Sequence, residues 1–541
     1  MVIAFLSSIL TLTTLYSLSV QVEPSLALDH QQLGGLQAQT ANTEWPSLRF
    51  YFTIKRSSMK LHGQSSFSVF ARPVLSDSNG TTNVLYDTFT SFAQGSTSYN
   101  YITIDGVAYV SRSSPETGTP LVQCVNSVAV PSINSFVAAL SEATSVSSIS
   151  ASNGSAIECS SGSNFKVTVN GVDFGVCASC SSGFTIYGSD IDITVEYLSS
   201  HVEILPPIGI VGTTGDCKVM SVPTSVSTIG RSLLTGEPVS LDSKRMLKAA
   251  IDFSLDDEKC SCKSKPRPCI FIHGLGIRKE EPQNADERPK YWGDLTDHAP
   301  CCSSMKYAVL DTIKYAWTDK TQQQKVCDRM LAVSETSRGT TVSDTIIISH
   351  SMGGLMVAGA IATGTCSLAS SSTWISTASP MTGSMSSDYF QDSCKDDTIL
   401  FMEIFVDLTG LCPAGDGIQS LAYQNETYSS KKLDAAYVAA QTAYRRNVYA
   451  LMCSNQYAGI YSIEHLQYRT LGNVVPHKSD KNDGMVEFQS CAAGIPESKF
   501  GNSYRDRFYA TNLNHADAAF RHGDSLLDTT KMPVKWFECL L

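Results

Sequence analysis

Asp344-Thr345-Ile346-Ile347-Ile348-Ser349-His350-Ser351-Met352-Gly353-Gly354 passes from a β-branched apolar run into a hydroxyl set among small residues. The run predicts a buried strand, and residues 355–363 (Leu-Met-Val-Ala-Gly-Ala-Ile-Ala-Thr) predict a buried helix straight after it. A strand that turns at once into a helix leaves its corner residue, Ser351, with an exposed hydroxyl and a strained backbone. Gly353 permits a close approach that a side chain would block. In the general pattern Gly-x-Ser-x-Gly, Ser349 stands where the first glycine would be.

Outward from this corner, strand-like and helix-like runs alternate after Pro268. Residues 269–272, 307–310, 345–348 and 374–377 read as strands and 322–333 as a helix, which predicts a parallel sheet with right-handed crossovers. Upstream the composition differs. Residues 45–215 are rich in Ser, Thr, Val and Gly, with short alternating runs at 101–104, 165–169 and 191–195. Asp105-Gly106 and Asn170-Gly171 stand where tight hairpin turns belong. The expected class is therefore α/β, a mostly parallel sheet with flanking helices preceded by a separate β-rich domain. The expected division is 1–27 as a signal peptide, 28–217 as the β-rich domain, 218–262 as a connector and 263–541 as the α/β domain. Helices are also expected over 132–143 and 244–253, and 385–470 reads as an insertion.

No charge occurs from Val2 to Val22, and the apolar stretch there has the length of a secretory signal, with cleavage expected after Ser19 or Ala27. Of the 17 cysteines five precede residue 250 and twelve follow it, a number that suits disulfides in a secreted chain. Cys177 and Cys180 form an isolated Cys-x-x-Cys, expected as a structural disulfide because no second pair with metal-ligand spacing follows. Asn79, Asn153 and Asn425 each open a glycosylation sequon. A net charge of −11 without a basic block excludes a nucleic-acid partner.

A serine hydroxyl attacks poorly at neutral pH unless it has a base, an orienter for that base and donors for the oxyanion. His515, in Asn514-His515-Ala516-Asp517 after a strand expected over 507–510, is the candidate base, with His522 and His477 as rivals. Asp483, in Asn482-Asp483-Gly484 after a strand expected over 470–475, is the candidate orienter, with Asp480 and Asp416 as rivals. Asp-Gly is also a common turn, and His515 could instead cap a helix. Phe271-Ile272-His273-Gly274-Leu275-Gly276 reads as a strand ending in a His-Gly turn, which offers the Leu275 amide opposite that of Met352 as the oxyanion donors. His273 itself reads as a residue that shapes this loop.

Elbow, His-Gly turn, Asp-Gly and Asn-His, in that order over residues 266–525, resemble the secreted bacterial true lipases of the Pseudomonas type, and more loosely the lipase-like glycosylphosphatidylinositol inositol-deacylases. Residues 377–384, Thr-Ala-Ser-Pro-Met-Thr-Gly-Ser, are similar to the Thr-x-x-Pro-His-x-Gly-Ser segment of such lipases, with Met381 in place of the histidine. The resemblance implies an α/β-hydrolase fold and a serine hydrolase that cleaves carboxylic esters of lipids through an acyl-enzyme on Ser351, His515 and Asp483. It implies transient contact with a lipid surface, and a lid in the insertion, where the mostly apolar residues 398–409 read equally as a strand or helix buried in the core. It also makes Asp517 a candidate calcium ligand, although the second carboxylate of such a site has no counterpart and no cofactor is expected. A thioesterase or transacylase on the same fold, and a silent hydrolase fold used for binding or adhesion, remain as alternatives.

Overall fold

The computed structural model describes residues 45–78, 81–115, 120–125, 130–159, 163–179, 182–207, 217–238, 252–256, 259–395 and 412–541. The expected signal peptide, Asn79, Cys180, the apolar stretch 398–409 and most of the helix expected over 244–253 lie outside the described residues. The end of that last segment, Phe253–Ser254, is a short strand. All described residues belong to one compact unit, Glu44–Leu541.

Two sheets dominate it. The smaller has six strands, numbered here in chain order within that sheet: β1 (Arg267–Ile272), β2 (Cys302–Ala308), β3 (Ile346–His350), β4 (Thr373–Thr377), β5 (Val448–Ser454) and β6 (Phe508–Thr511). Their spatial order is β2-β1-β3-β4-β5-β6, and every neighbouring pair is parallel. Alternation along the strands divides their side chains between two cores. Ile270, Ile272, Ile347, Trp374 and Leu451 pack with Val326, Leu355 and Tyr437 from the helices Lys320–Leu331, Met352–Ala362 and Lys431–Asn447. Phe271, Ile346, Ile348, Ile375 and Met452 face the other way, onto Trp292, Trp536 and Phe537. With both faces covered, Cys269–Ile272 of β1 and Ile346–Ile348 of β3 are buried on both sides, which is why these runs are continuously apolar.

The larger sheet has twelve strands and is antiparallel throughout, so the description as mostly parallel applies to the smaller sheet alone. Its hairpins turn where the dipeptides stand. Asp105 and Gly106 have φ of 50° and 77°, and Asn170 and Gly171 have 50° and 81°, the doubly positive pair that matches the twist of the flanking strands. The core of this sheet, with Phe50, Phe52 and Phe136, is continuous with the cluster of Phe271 and Trp536 on the outer face of the parallel sheet. At the joint lies a group of buried charges, among them Arg56, Asp190, Lys535 and Glu538.

Two local expectations are corrected. Residues 470–475, read as a strand, are the end of the helix Ile463–Val474. Ser462 caps that helix by accepting from the His465 amide, and Leu471 and Val475, one turn apart, are buried on one side of it. Cys177 pairs with Cys159, not with Cys180. Among the described residues eight disulfides join sixteen cysteines, including Cys260–Cys539, Cys262–Cys301, Cys269–Cys302, Cys327–Cys366 and Cys453–Cys491 around the parallel sheet. Among the described residues no helix is long and apolar enough to cross a membrane.

Candidate active site

Ser351 sits at the end of β3 with φ 56° and ψ −134°, a conformation that L-residues avoid. The strained corner is held by its surroundings. The Ser351 amide donates to the Thr377 carbonyl at 3.0 Å, and the helix Met352–Ala362 starts on the next residue. Small residues are needed around it: a Cβ on Gly353 would stand 2.3 Å from the Ile272 carbonyl oxygen, and one on Gly354 2.1 Å from Ser379 Oγ. Ser349 replaces glycine without harm because its hydroxyl points across the sheet and accepts from Trp374 Nε1 at 2.8 Å.

His515 and Asp483 reach this corner from distant loops. His515 Nε2 lies 2.9 Å from Ser351 Oγ, and its Nδ1 lies 2.8 Å from Asp483 Oδ2. Asp483 Oδ1 accepts from the amides of Met485 and Val486 at 2.9 and 2.7 Å, so the carboxylate fixes its own turn while it faces the imidazole. The Asp483 carbonyl accepts from the His515 amide at 2.9 Å. All three side chains are buried. Cys453–Cys491 ties β5 to the short helix Phe488–Ala492 that follows the acid turn.

The rivals are exposed or hold other partners. Asp480 and Asp416 are exposed. His477 pairs with Glu487 at 2.7 Å. His522 is held at 2.6 Å by Asp517 Oδ1, while Asp517 Oδ2 accepts from the amides of Ile460 and Asn514. Both oxygens of Asp517 are thus engaged in shaping the His515 loop. Among the described residues no group of three or more His, Cys, Asp or Glu gathers as a cation site.

On the opposite side of Ser351, His273 shapes the loop after β1. Its Nε2 accepts from the Leu310 amide at 3.0 Å, so Nδ1 carries the proton and donates to the Gly274 carbonyl at 2.7 Å. Burial pushes this imidazole down to about 4, which keeps it neutral. Gly274 lies directly against Ser351, with space for a Cβ denied by Ser351 Cβ at 2.4 Å. Among the described residues neither the Leu275 nor the Met352 amide donates to a protein acceptor.

The sequence reading missed two residues here, Tyr291 and His350. Tyr291 Oη accepts from the Gly274 amide at 2.7 Å and lies 2.7 Å from His350 Nδ1. His350 Nε2 is 2.9 Å from the carbonyl oxygen of His515. Adjacency to Ser351 was the only signal for His350, and Tyr291 had none, since its partners are 17 and 59 positions away. The whole arrangement opens into a cleft of about 800 Å³ whose walls include Leu275, Ile277, Leu421, Leu471, Met485 and Val486. A buried acceptor, a held imidazole and a hydroxyl at a strained corner can activate an alcohol.

No protein-family model matches the chain, and no curated protein matches its sequence. Among solved structures it is similar to a Bacillus licheniformis lipase in propeptide form, at 14% identity and a TM-score of 0.31, over 48% of this chain and 49% of that one. It is similar also to the Staphylococcus hyicus lipase, at 15% identity and 0.28 over 51% and 93% of the two chains, and to lipase 1 from Pelosinus fermentans, at 12% and 0.28 over 51% and 97%. The chain thus spans about half the length of the Bacillus lipase.

Proposed function

We propose that this chain is a serine hydrolase of α/β-hydrolase architecture that cleaves carboxylic esters, with lipid esters as substrates. His515 Nε2 removes the proton from Ser351 Oγ as the oxygen attacks the ester carbonyl. Asp483 holds the imidazole with its proton on Nδ1 and stabilises the imidazolium. The tetrahedral oxyanion is received by the Leu275 and Met352 amides. His515 then returns the proton to the departing alkoxide, and water, deprotonated by the same imidazole, releases the acid from the acyl-enzyme.

The observation that carries the reading is the imidazole bridging Ser351 Oγ and Asp483 Oδ2 at 2.9 and 2.8 Å. The apolar part of the cleft wall suits an acyl chain, while Arg288, Lys290, Gln467 and Arg521 line the same cleft and suit a polar part of the substrate. Eight disulfides favour an oxidising compartment, and with the amino-terminal apolar stretch they support secretion.

A fluorophosphonate probe should label the purified protein, and Ser351→Ala should abolish both labelling and ester turnover without loss of fold. Folded wild type that takes no label would overturn the reading. A panel from short soluble esters to emulsified triglyceride and thioesters, with and without an added alcohol acceptor, separates a lipase from a thioesterase or transacylase.

A further inference from the structure

His350 precedes Ser351 and takes part in a chain of hydrogen bonds with a single sense. The Gly274 N–H donates to Tyr291 Oη, which leaves the phenolic proton free to donate onward. Its next partner at 2.7 Å is His350 Nδ1, which must then be the unprotonated nitrogen. The proton of His350 accordingly sits on Nε2 and is donated to the His515 carbonyl, a group that can only accept, at 2.9 Å. For the neutral imidazole no other assignment satisfies all three contacts. His350 is 3% exposed, and burial together with the charge that His515 acquires holds its pKa well below the ordinary imidazole value, so the neutral form persists over the working range.

Two peptide groups are clamped by this chain. The His515 amide is held by the Asp483 carbonyl and the His515 carbonyl by His350, so the base residue is fixed at both main-chain ends. Gly274 is fixed likewise: its amide by Tyr291, its carbonyl by His273 Nδ1 and Thr312 Oγ1. We infer that His350 and Tyr291 are positioning residues that lock the loop of the base and the oxyanion loop to each other across the nucleophile, His350 acting through His515 and Tyr291 through Gly274. The inference rests on the hydrolase reading above. A displacement of either loop by a fraction of an ångström misplaces the transition state while leaving the acyl cleft, and so ground-state binding, in place.

The test uses the full chain and four variants, with the fluorophosphonate labelling rate and the separate kcat and KM for a soluble ester. Tyr291→Phe and His350→Ala should each lower kcat and the labelling rate roughly 10- to 100-fold, with KM within about twofold, because a buried partner is left unsatisfied. His350→Gln, whose amide nitrogen can still donate to the His515 carbonyl, should recover most of what His350→Ala loses. Wild-type labelling by Tyr291→Phe and His350→Ala, or a Gln variant no better than Ala, would overturn the positioning role. Ser351→Ala keeps the two failures apart: label retained there overturns the hydrolase reading and this inference with it, whereas label lost there and unchanged in the other variants overturns the inference alone. Should His350→Ala not fold, Tyr291→Phe, which deletes one oxygen, decides the matter.

Discussion

Arg56 Nη1 and Glu538 Oε2 lie 2.6 Å apart, 482 residues distant in the chain, with both side chains almost fully removed from water. Arg56 follows the strand Leu48–Ile54 of the antiparallel sheet, and Glu538 sits in the last helix, Pro533–Cys539, beneath the parallel one. Arg56 Nε also meets Asp190 Oδ1 at 3.1 Å, Lys535 meets Asp190, and His298 Nδ1 meets Glu538 Oε2 at 2.8 Å. The two sheets are thus joined by apolar packing and by a buried network in which each charge has an opposite neighbour. Removing Arg56 leaves Asp190 to Lys535 and Glu538 to His298, with the charge that bridged the two buried carboxylates gone. Arg56→Met is expected to cost about 3–5 kcal/mol of stability. Denaturant unfolding of the variant beside wild type measures it.

The same network gives a pH dependence of known sign. Burial alone would raise the Glu538 carboxyl, but the hydrogen bonds from His298 and Arg56 overcome it and hold the group down to about 2, against an ordinary 4.5. A carboxyl lowered in the folded state stabilises fully above its unfolded value, and that contribution is lost as pH falls from about 4.5 through about 2. Wild type should therefore lose stability over this window more steeply than Glu538→Gln, which has no proton to take up there. Unfolding midpoints between pH 5 and pH 2.5 for the two proteins decide it. Parallel curves would exclude Glu538 as the source.

Much of the site was legible because its signals are local. The elbow is written in eleven consecutive residues, since a strained corner imposes its demands on its immediate neighbours. Asp483 and His515 were legible as residue types after expected strands, yet one of those strands is a helix: Thr470, Val474 and Val475 carry β-branched side chains that the Ser462 cap and the buried spacing of Leu471 and Val475 override. What stayed hidden is relational. The exchange of glycine for Ser349 depends on Trp374, and the tie from Tyr291 to His350 crosses 59 positions, and neither leaves a periodic trace. The continuity of the antiparallel core with the outer face of the parallel sheet is hidden for the same reason, because apolar alternation tells which face is buried and not what buries it.

Asp483 performs two tasks with its two oxygens, and substitutions can separate them. In Asp483→Asn the amide oxygen can still accept from the Met485 and Val486 amides, preserving the turn, while the NH2 faces His515 Nδ1. The imidazole must then carry its proton on Nε2, directed at Ser351, and cannot accept from the hydroxyl. The expected outcome is a fall in kcat of roughly 10⁴-fold with little change in thermal stability, as for the equivalent change in serine proteases. Asp483→Ala should lose as much activity and also stability, by about 1–3 kcal/mol for the orphaned amides. Steady-state kinetics and thermal unfolding of both variants separate the two tasks, and an Asn variant with near wild-type kcat would sink the assignment.

Gly274 and Gly276 lie two residues apart and are glycines for different reasons. A Cβ on Gly274 would stand 2.4 Å from Ser351 Cβ, 2.9 Å from its Oγ and 3.0 Å from Tyr291 Oη, so something must shift, and the groups that would shift are the nucleophile and the phenol. Gly276 has no atom within 4 Å of its would-be Cβ, but its φ is +116°, a conformation that L-residues seldom adopt. Gly274→Ala should therefore depress fluorophosphonate labelling and ester turnover at least roughly tenfold while the unfolding temperature stays within a few degrees of wild type. Gly276→Ala should show backbone strain instead, about 1–3 kcal/mol of stability, with the nucleophile unobstructed. Labelling rates and unfolding curves of the pair provide the comparison. If Gly274→Ala labels as fast as wild type, the loop after β1 does not press against Ser351 as closely as these distances require.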